Sequence, residues 1–406
     1  MTILLTPPPT IEKTERKSFK NRQYHPNDTD IQIETQSKNI VPTFLLPKLK
    51  ELEDKKSNKY IKPFYTIKKN KPPKNSILDL NTNIDKNSKN DSKKLTFLKS
   101  VFNNCTNIVM ITGAGISTKA GIPDFRSNEI GLFKQRLTDS KIKDNKSLFD
   151  INLIYSSNEY TLQFNKLIRN LHNLSQSNTP TPFHYLIDNL ISRGQIKRIY
   201  TQNIDSMETQ LNSFKDLDPI QFFTKLPTKS PYPKLIQLHG SINYTQCNKC
   251  HQIKPLNPYD FITELDTSET KIDQILIPHC SQCEEFEEVR KIAGIRSKGV
   301  GILRPKIVLY NELHPDGDEI ARIINYDIKS KKIDCLMIVG TTLEIPGVRD
   351  LIKGIIKNMR PQRLLGKFVV IFISNELPNN NILKLFGDDG IDLIVHGDCQ
   401  DLVNLV

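Results

Sequence analysis

Two cysteine pairs, Cys247-x-x-Cys250 and Cys280-x-x-Cys283, follow the tripeptide Leu238-His239-Gly240, the first cysteine lying eight residues after the histidine. Each pair closes a two-residue loop. Two such loops separated by a longer excursion can bring four thiolates to the corners of a tetrahedron suited to Zn²⁺. With four sulfurs bound, such an ion holds a small module together and has no open position from which to activate water. Catalysis must then come from elsewhere. His239 is the adjacent candidate, because an imidazole of near-neutral pKa suits a general base. Without context, a histidine that ends a strand is more often a satisfied core or surface residue. His251 and His279 abut the cysteine pairs, yet four thiolates already complete a zinc site.

A second chemical signature is Gly113-Ala114-Gly115-Ile116-Ser117, directly after an apolar β-branched run. Glycines there let the backbone approach a pyrophosphate, and a following helix would aim its N–H groups at the anion. A tight strand-to-helix turn is the plainer reading of the pentapeptide alone. The next glycine is Gly121, so neither the G-x-G-x-x-G fingerprint nor the G-x-x-x-x-G-K-[ST] loop is met, and an ordinary hydride-transferring dehydrogenase is disfavoured.

The pentapeptide continues into Lys119-Ala120-Gly121-Ile122-Pro123-Asp124-Phe125-Arg126-Ser127. Later come Thr201-Gln202-Asn203-Ile204-Asp205, Leu238-His239-Gly240 and the paired cysteines. With these motifs in this order, roughly residues 95 to 406 resemble the sirtuins, the NAD-dependent protein lysine deacylases. Gly301 to Tyr310 and Gly340 to Val348 are most similar to the fungal nuclear branch acting on the core of histone H3.

The resemblance implies that an acetyl-lysine carbonyl oxygen attacks the ribose carbon vacated by nicotinamide. Phe125 would cover the reactive face. His239 would draw a proton from a ribose hydroxyl, leading to deacetylated lysine and O-acetyl-ADP-ribose. Asn203 would contact the ribose and an ordered water, and Asp205 the nicotinamide carboxamide, with Gln202 and Ile204 in the same turn. Gly113, Ala114, Gly115, Ile116 and Ser117 would surround the phosphates and ribose. Asp124 and Arg126 would belong to the closing loop, and Gly340, Thr341 and Thr342 to a second phosphate-side turn. Asn375, Glu376 and Leu377 would lie at the adenosine ribose, and Cys399 beside adenine. The family edge that pairs with the acetylated peptide would be Val308, Leu309, Tyr310, Asn311 and Glu312. Asn311 replaces the usual glycine, tolerable because Asn adopts positive φ more readily than other non-glycine residues. Tyr310 stands where phenylalanine is common. Zinc, one per chain, would be structural. Two other readings stay open: mono-ADP-ribosyl transfer to a protein, and a chromatin scaffold with a vestigial site.

Strands and helices must hold these groups. Short apolar runs at Asn107–Ile111, Lys197–Thr201, Lys234–Leu238, Lys306–Leu309, Cys335–Val339, Phe368–Ile373 and Asp392–Val395 read as strands. Several are apolar on both faces, as expected beneath helices on both sides of a parallel sheet. Phe183–Ser192, His314–Asn325 and Gly347–Asn358 read as crossover helices. The expectation is a doubly wound, Rossmann-like α/β domain over 95 to 406, with an inserted zinc-binding module at 241 to 302. His184 reads as structural, Cys105 and Cys335 as buried, and Glu284 to Glu288 as a solvated face.

Residues 1 to 94 carry 20 Lys/Arg against 11 Asp/Glu, so about +9 of the formal +12 sits there. That stretch reads as a basic, mostly disordered extension able to contact chromatin. Lys69-Asn70-Lys71-Pro72-Pro73-Lys74 is a candidate nuclear address. Met1 to Thr10 lacks the pattern of a secretory signal, and no window is apolar enough to span a bilayer. A nuclear protein with acetylated histone as partner and no membrane contact is the resulting expectation.

Overall fold

The computed structural model describes residues 67, 68, 70–81, 89–124, 145–214, 226–263 and 276–406. All fall in one compact unit, Asn58–Val406. In chain order the strands are β1 (Ile77–Asp79), β2 (Ile108–Thr112), β3 (Ile196–Thr201), β4 (Leu235–Gln237), β5 (Gly240–Cys247), β6 (Ile253–Pro255), β7 (Leu303–Ile307), β8 (Cys335–Val339), β9 (Val369–Ser374) and β10 (Leu393–His396). The longer helices are α1 (Lys89–Asn104), α2 (Asn158–Ser177), α3 (Pro182–Ser192), α4 (Ser281–Ile292), α5 (Gly317–Lys329) and α6 (Pro346–Leu364).

Seven strands form a sheet in the order β1-β10-β9-β8-β2-β3-β4, every pair parallel. Alternate residues feed opposite cores. Cys335, Met337 and Val339 of β8 join α1 and α3 on one face, while Leu336 and Ile338 join α5 and α6 on the other. This double burial accounts for the uninterrupted apolar runs in the sequence. The chain passes from β2 outward to β3 and β4 on one side, and β8 lies on the other, so strand order reverses between β2 and β8. Clefts of doubly wound sheets form at such switch points, beyond the carboxyl ends of the strands.

Three expectations need correction. Lys306–Leu309 was placed among the parallel strands. Instead β7 ends at Ile307 and pairs antiparallel with β5, in a separate sheet ordered β6-β5-β7. A short apolar run says nothing of partner or direction. The inserted module correspondingly reaches past residue 302, because β7 is one of its strands. The third correction concerns the start of the folded body, drawn at residue 95. Ile77–Asp79 pairs with β10, Leu78 is buried, and α1 begins at Lys89. Lys71 and Lys74, part of the basic hexapeptide, are also engaged, with Asp392 (2.5 Å) and the carbonyl of Asp388 (2.8 Å).

The turn after β2 also differs from the expected strand-to-helix transition. Two 3₁₀ turns, Ala114–Ile116 and Thr118–Ala120, stop at Gly121 with φ +80°, and Pro123 follows. No long helix begins there, so a bound anion would meet turn amides and not a helix dipole.

At the switch point the turns after β2 and β8 interlock. Gly115 N–H donates to the Gly340 carbonyl (2.9 Å), and a Cβ on Gly115 would fall 2.8 Å from Gly340 Cα. Gly115→Ala should therefore cost about 1–3 kcal/mol through overpacking against backbone that cannot rotate away. Urea unfolding measures this; an unchanged midpoint would mean that the turns part freely.

Candidate functional site

A cavity of about 590 Å³ opens at the carboxyl ends of β2, β3, β8, β9 and β10, within the usual range for small-molecule sites. Gly113, Ala114, Gly115 and Asp124 line it, with Gln202, Asn203, Ile204 and His239. Gly340, Thr341, Thr342, Asn375, Glu376, Leu377 and Cys399 also line it, and Val308, Leu309 and Tyr310 form one rim. Motifs up to 286 residues apart, from Gly113 to Cys399, thus meet in one space. A small adjoining pocket of about 20 Å³ shares Ala114, Asn203 and Ile204 and adds Ile122, Pro123 and Asp205.

Some expected residues sit elsewhere. Ile116 is core, its carbonyl accepting from Thr181 Oγ1 and Gln400 Nε2. Ser117 is fully buried beneath the wall, where its hydroxyl accepts from Asn203 Nδ2 (3.2 Å). Asn311 and Glu312 do not line the cavity. Asn311, at φ +63°, donates from Nδ2 to Asp150 Oδ2 (2.8 Å). The Glu312 carboxylate takes both Arg304 amino groups (2.5 and 2.9 Å) and the Leu309 N–H (3.1 Å). It buttresses the rim from behind. Phe125 and Arg126 lie outside the described residues.

The sequence reading did not select Thr118, Phe149, Glu344, Ile345, Asn379 or Gly397, which also line the cavity. Glu344 and Ile345 merely continue the Gly340-Thr341-Thr342 turn, so following that segment further would have reached them. Asn379 carries a cap signal, its side chain accepting from Ile382 N–H (3.0 Å).

His239 is oriented for proton transfer. Its Nδ1 lies 2.8 Å from the Gln202 carbonyl, an acceptor only, so Nδ1 holds the proton and Nε2 is left as the basic nitrogen. Burial lowers its pKa, the Gln202 bond opposes this, and nearby His314 adds to the lowering, so the neutral imidazole is favoured. His184, by contrast, is fully buried, with burial driving its pKa down to about 3, and it closes a capping box with Thr181. It is structural.

Beneath the site lies a buried acidic pair. Burial raises the pKa of Asp205, while the Met207 N–H, 3.0 Å from its Oδ1, and the Ser117 hydroxyl pull the other way. That amide bond closes a local turn just before the Met207–Gln210 segment, whose N-cap position is Ser206. Glu208 is fully buried, both carboxylate oxygens lack a hydrogen-bond partner among the described residues, and burial followed by the Asp205 charge lifts its pKa to about 7. The neutral form is thereby favoured up to near neutrality. Because the folded pKa lies above the unfolded value of about 4.5, stability is lost as pH rises through that window. Glu208→Gln should gain roughly 1–3 kcal/mol relative to the parent between about pH 5 and pH 8. Urea unfolding at the two pH values tests this, and a pH-independent difference would contradict it.

The four cysteines converge, all Sγ atoms lying within 4.8 Å of one another. Cys247–Cys283 and Cys250–Cys280 are each 3.6 Å apart, close to the roughly 3.8 Å edge of a tetrahedron with about 2.3 Å metal–sulfur bonds. Burial opposes ionisation, but the N–H groups of Cys250 and Lys249 draw Cys247 down to about 7, whereas burial takes Cys250 up to about 12. Four thiols this close cannot all ionise without a cation to hold them. The donor set fits Zn²⁺, and neither His251 nor His279 joins the cluster. One zinc per chain is expected by elemental analysis, with chelation or Cys280→Ser lowering the thermal midpoint. An unshifted midpoint in metal-free protein would rule the site out.

A model of the Sir2 family matches residues 113–215 and 220–347. The chain belongs to the Sir2 family. It is 38% identical to "NAD-dependent histone deacetylase HST4" of Saccharomyces cerevisiae over 410 residues, covering 99% of this chain and 98% of that protein. It is also 38% identical to "NAD-dependent protein deacetylase hst4" of Schizosaccharomyces pombe, covering 77% of this chain and 68% of the relative. Among solved structures, Sir2Tm bound to a propionylated peptide aligns with TM-score 0.50 at 20% identity, over 77% of this chain and 96% of the other. That likeness speaks for the fold. Sequence and fold thus place the chain among the sirtuins.

Proposed function

We propose that this sirtuin is an NAD-dependent deacetylase of protein lysines in the nucleus, acting on acetylated histone and, more narrowly, on histone H3. The observation that carries the reading is His239, its Nδ1 tied to Gln202 and its side chain lining the cavity that the glycine turns and the Val308–Tyr310 rim share. The names borne by the two fungal relatives support the substrate class. The basic N-terminal extension supports contact with chromatin. No helix of the described residues is long and apolar enough to cross a membrane.

The residues present suit NAD. Gly113 and Gly115 bring backbone to the cavity, Thr341 and Thr342 offer hydroxyls on the turn packed against them, and Asn375 with Glu376 would offer acceptors for a ribose. When bound, NAD supplies an ADP-ribosyl electrophile as nicotinamide leaves. Asp205 and Ile204 bound the small adjoining pocket, whose polar end at Asp205 would serve the carboxamide of the nicotinamide; burial raises the Asp205 pKa, and its carboxylate accepts there whenever it is ionised. Asn203, fixed by Ser117, presents a polar edge toward the ribose. Neutral His239 accepts the proton from a ribose hydroxyl at Nε2 and passes positive charge toward the Gln202 carbonyl. The zinc module lies apart from these groups and fixes β5 and β7, which carry the segment after His239 and the substrate rim.

A peptide that pairs with the rim meets a partly occupied edge. Tyr310 N–H already donates to the Phe149 carbonyl (2.7 Å), and the Tyr310 carbonyl accepts from Ile151 N–H (3.2 Å). The Leu309 N–H is likewise held by the Glu312 carboxylate and the Val308 N–H by the His239 carbonyl, so pairing rests on rim carbonyl oxygens, each able to accept a second bond. NAD cleavage should require an acetylated peptide, with soluble O-acetyl-ADP-ribose as product. Label from NAD bound covalently to protein would instead support ADP-ribosyl transfer. His239→Ala should lower deacetylation by at least about 100-fold with little change in the thermal midpoint. Parent-like turnover in that variant would sink the assignment.

A further inference from the structure

The charge-rich N-terminal region contributes a strand to the cofactor side of the sheet. Beyond β1, Leu80 N–H donates to the His396 carbonyl (2.7 Å). A Cβ on Gly397 would fall 2.7 Å from Leu80 Cβ, and Gly397 lines the cavity. Asn75 and Ile391 exchange two hydrogen bonds, 2.6 Å from the Asn75 amide and 2.8 Å to its side chain, locking the register from the other end. The strand is thus pinned at both ends.

From this strand a polar chain leads to the cavity wall. Asp79 Oδ1 lies 3.3 Å from His396 Nδ1 and accepts from the Asn81 N–H at 3.0 Å. On the other side of the ring, His396 Nε2 lies 3.1 Å from the carbonyl of Asn375, a residue of the wall. A carboxylate oxygen and a carbonyl oxygen both accept. A ring N–H can therefore donate to either neighbour, and the ring bridges the strand to the wall. Asn81 Nδ2, at 3.5 Å from Nδ1, adds a third contact to the same cluster.

Resting on the NAD reading, we propose that Asp79 and His396 are positioning residues for the adenosine end of NAD. Through the Asn375 carbonyl they set the loop Asn375–Leu377 where it can receive a ribose, and they touch neither the reacting carbon nor the peptide rim. Their loss should weaken cofactor binding and leave the chemical step intact. This makes residues 76 to 81 a support of the proposed cofactor site, acting through His396 and the Asn375 carbonyl.

The test uses the full-length chain carrying Asp79→Asn, Asp79→Glu, His396→Ala or no change. Steady-state deacetylation is measured with NAD and acetylated peptide varied separately, and NAD affinity is measured independently by calorimetry. Asp79→Asn and His396→Ala should each raise the KM and Kd for NAD by about five- to tenfold, the loss expected for one charge-assisted hydrogen bond. The kcat and the peptide KM should stay within about twofold, and Asp79→Glu should recover most of the affinity. An unchanged NAD KM in both variants would overturn the assignment. A parallel fall in kcat, both KM values and thermal midpoint would also overturn it, by reducing the strand to a structural role. If the unchanged protein neither binds nor cleaves NAD, the broader functional reading fails instead.

Discussion

Two turns with no room between them organise this molecule. The turn after β2 and the turn after β8 touch backbone to backbone. A Cβ on Gly113 would fall 2.6 Å from Thr341 Cβ, and one on Gly340 2.8 Å from the Ile116 nitrogen. Gly340 also needs φ +63°, which glycine adopts at little cost. Because β2 and β8 are neighbours at the point where strand order reverses, this contact fixes the floor of the cleft. On one side stand the groups following β3, on the other those following β9 and β10. A side chain wedged here would widen the floor and displace both walls together.

Polar burial then gives the walls their chemistry. Thr112, Ser117, Thr201, Asn203, Asp205 and Glu208 are all buried within a few residues of the strand ends. An apolar core would be simpler to stabilise, since each buried polar atom without a partner costs about 1–3 kcal/mol. The cluster favours a neutral Glu208 up to near neutrality and fixes Asn203 through Ser117. Burial also favours the neutral form of His239, the form that the proposed proton transfer needs. The Gln202 carbonyl opposes part of that effect and in return sets the tautomer.

Legibility in the sequence followed burial. β8 and β9 could be read almost to the residue because both faces are covered, which leaves unbroken apolar runs in the sequence. The cysteine quartet and the motifs around Asn203 and His239 were legible because chemistry restricts residue type. β1 was not, since a three-residue strand in a polar, charged segment offers Leu78 as its one deeply buried side chain. Its pairing is decided by β10, more than 300 residues later in the chain, and no local pattern carries that. Glu312, expected on the peptide edge, does not line the cavity, and its carboxylate is taken by Arg304, eight residues earlier on β7. Side-chain partners across a sheet corner leave no periodic trace.

The small lobe has a cost and a use that follow from the same geometry. Leu148, Phe149, Phe164, Ile168, Ile204, Ile242, Ile307 and Leu309 form a core separate from those of the large sheet. That core touches the catalytic turn through Ile204 and the peptide rim through Leu309. The rim therefore rides on the lobe, while Gly113, Gly340 and Asn375 ride on the sheet. Val308 N–H donates to the His239 carbonyl at 2.9 Å, the seam where the two meet. On the proposed reading, peptide and cofactor would be held by different packing units that share the residue proposed to move the proton. A substitution in the lobe core would shift the rim relative to His239 and disturb peptide binding first, whereas one at the glycine interlock would disturb both sites at once.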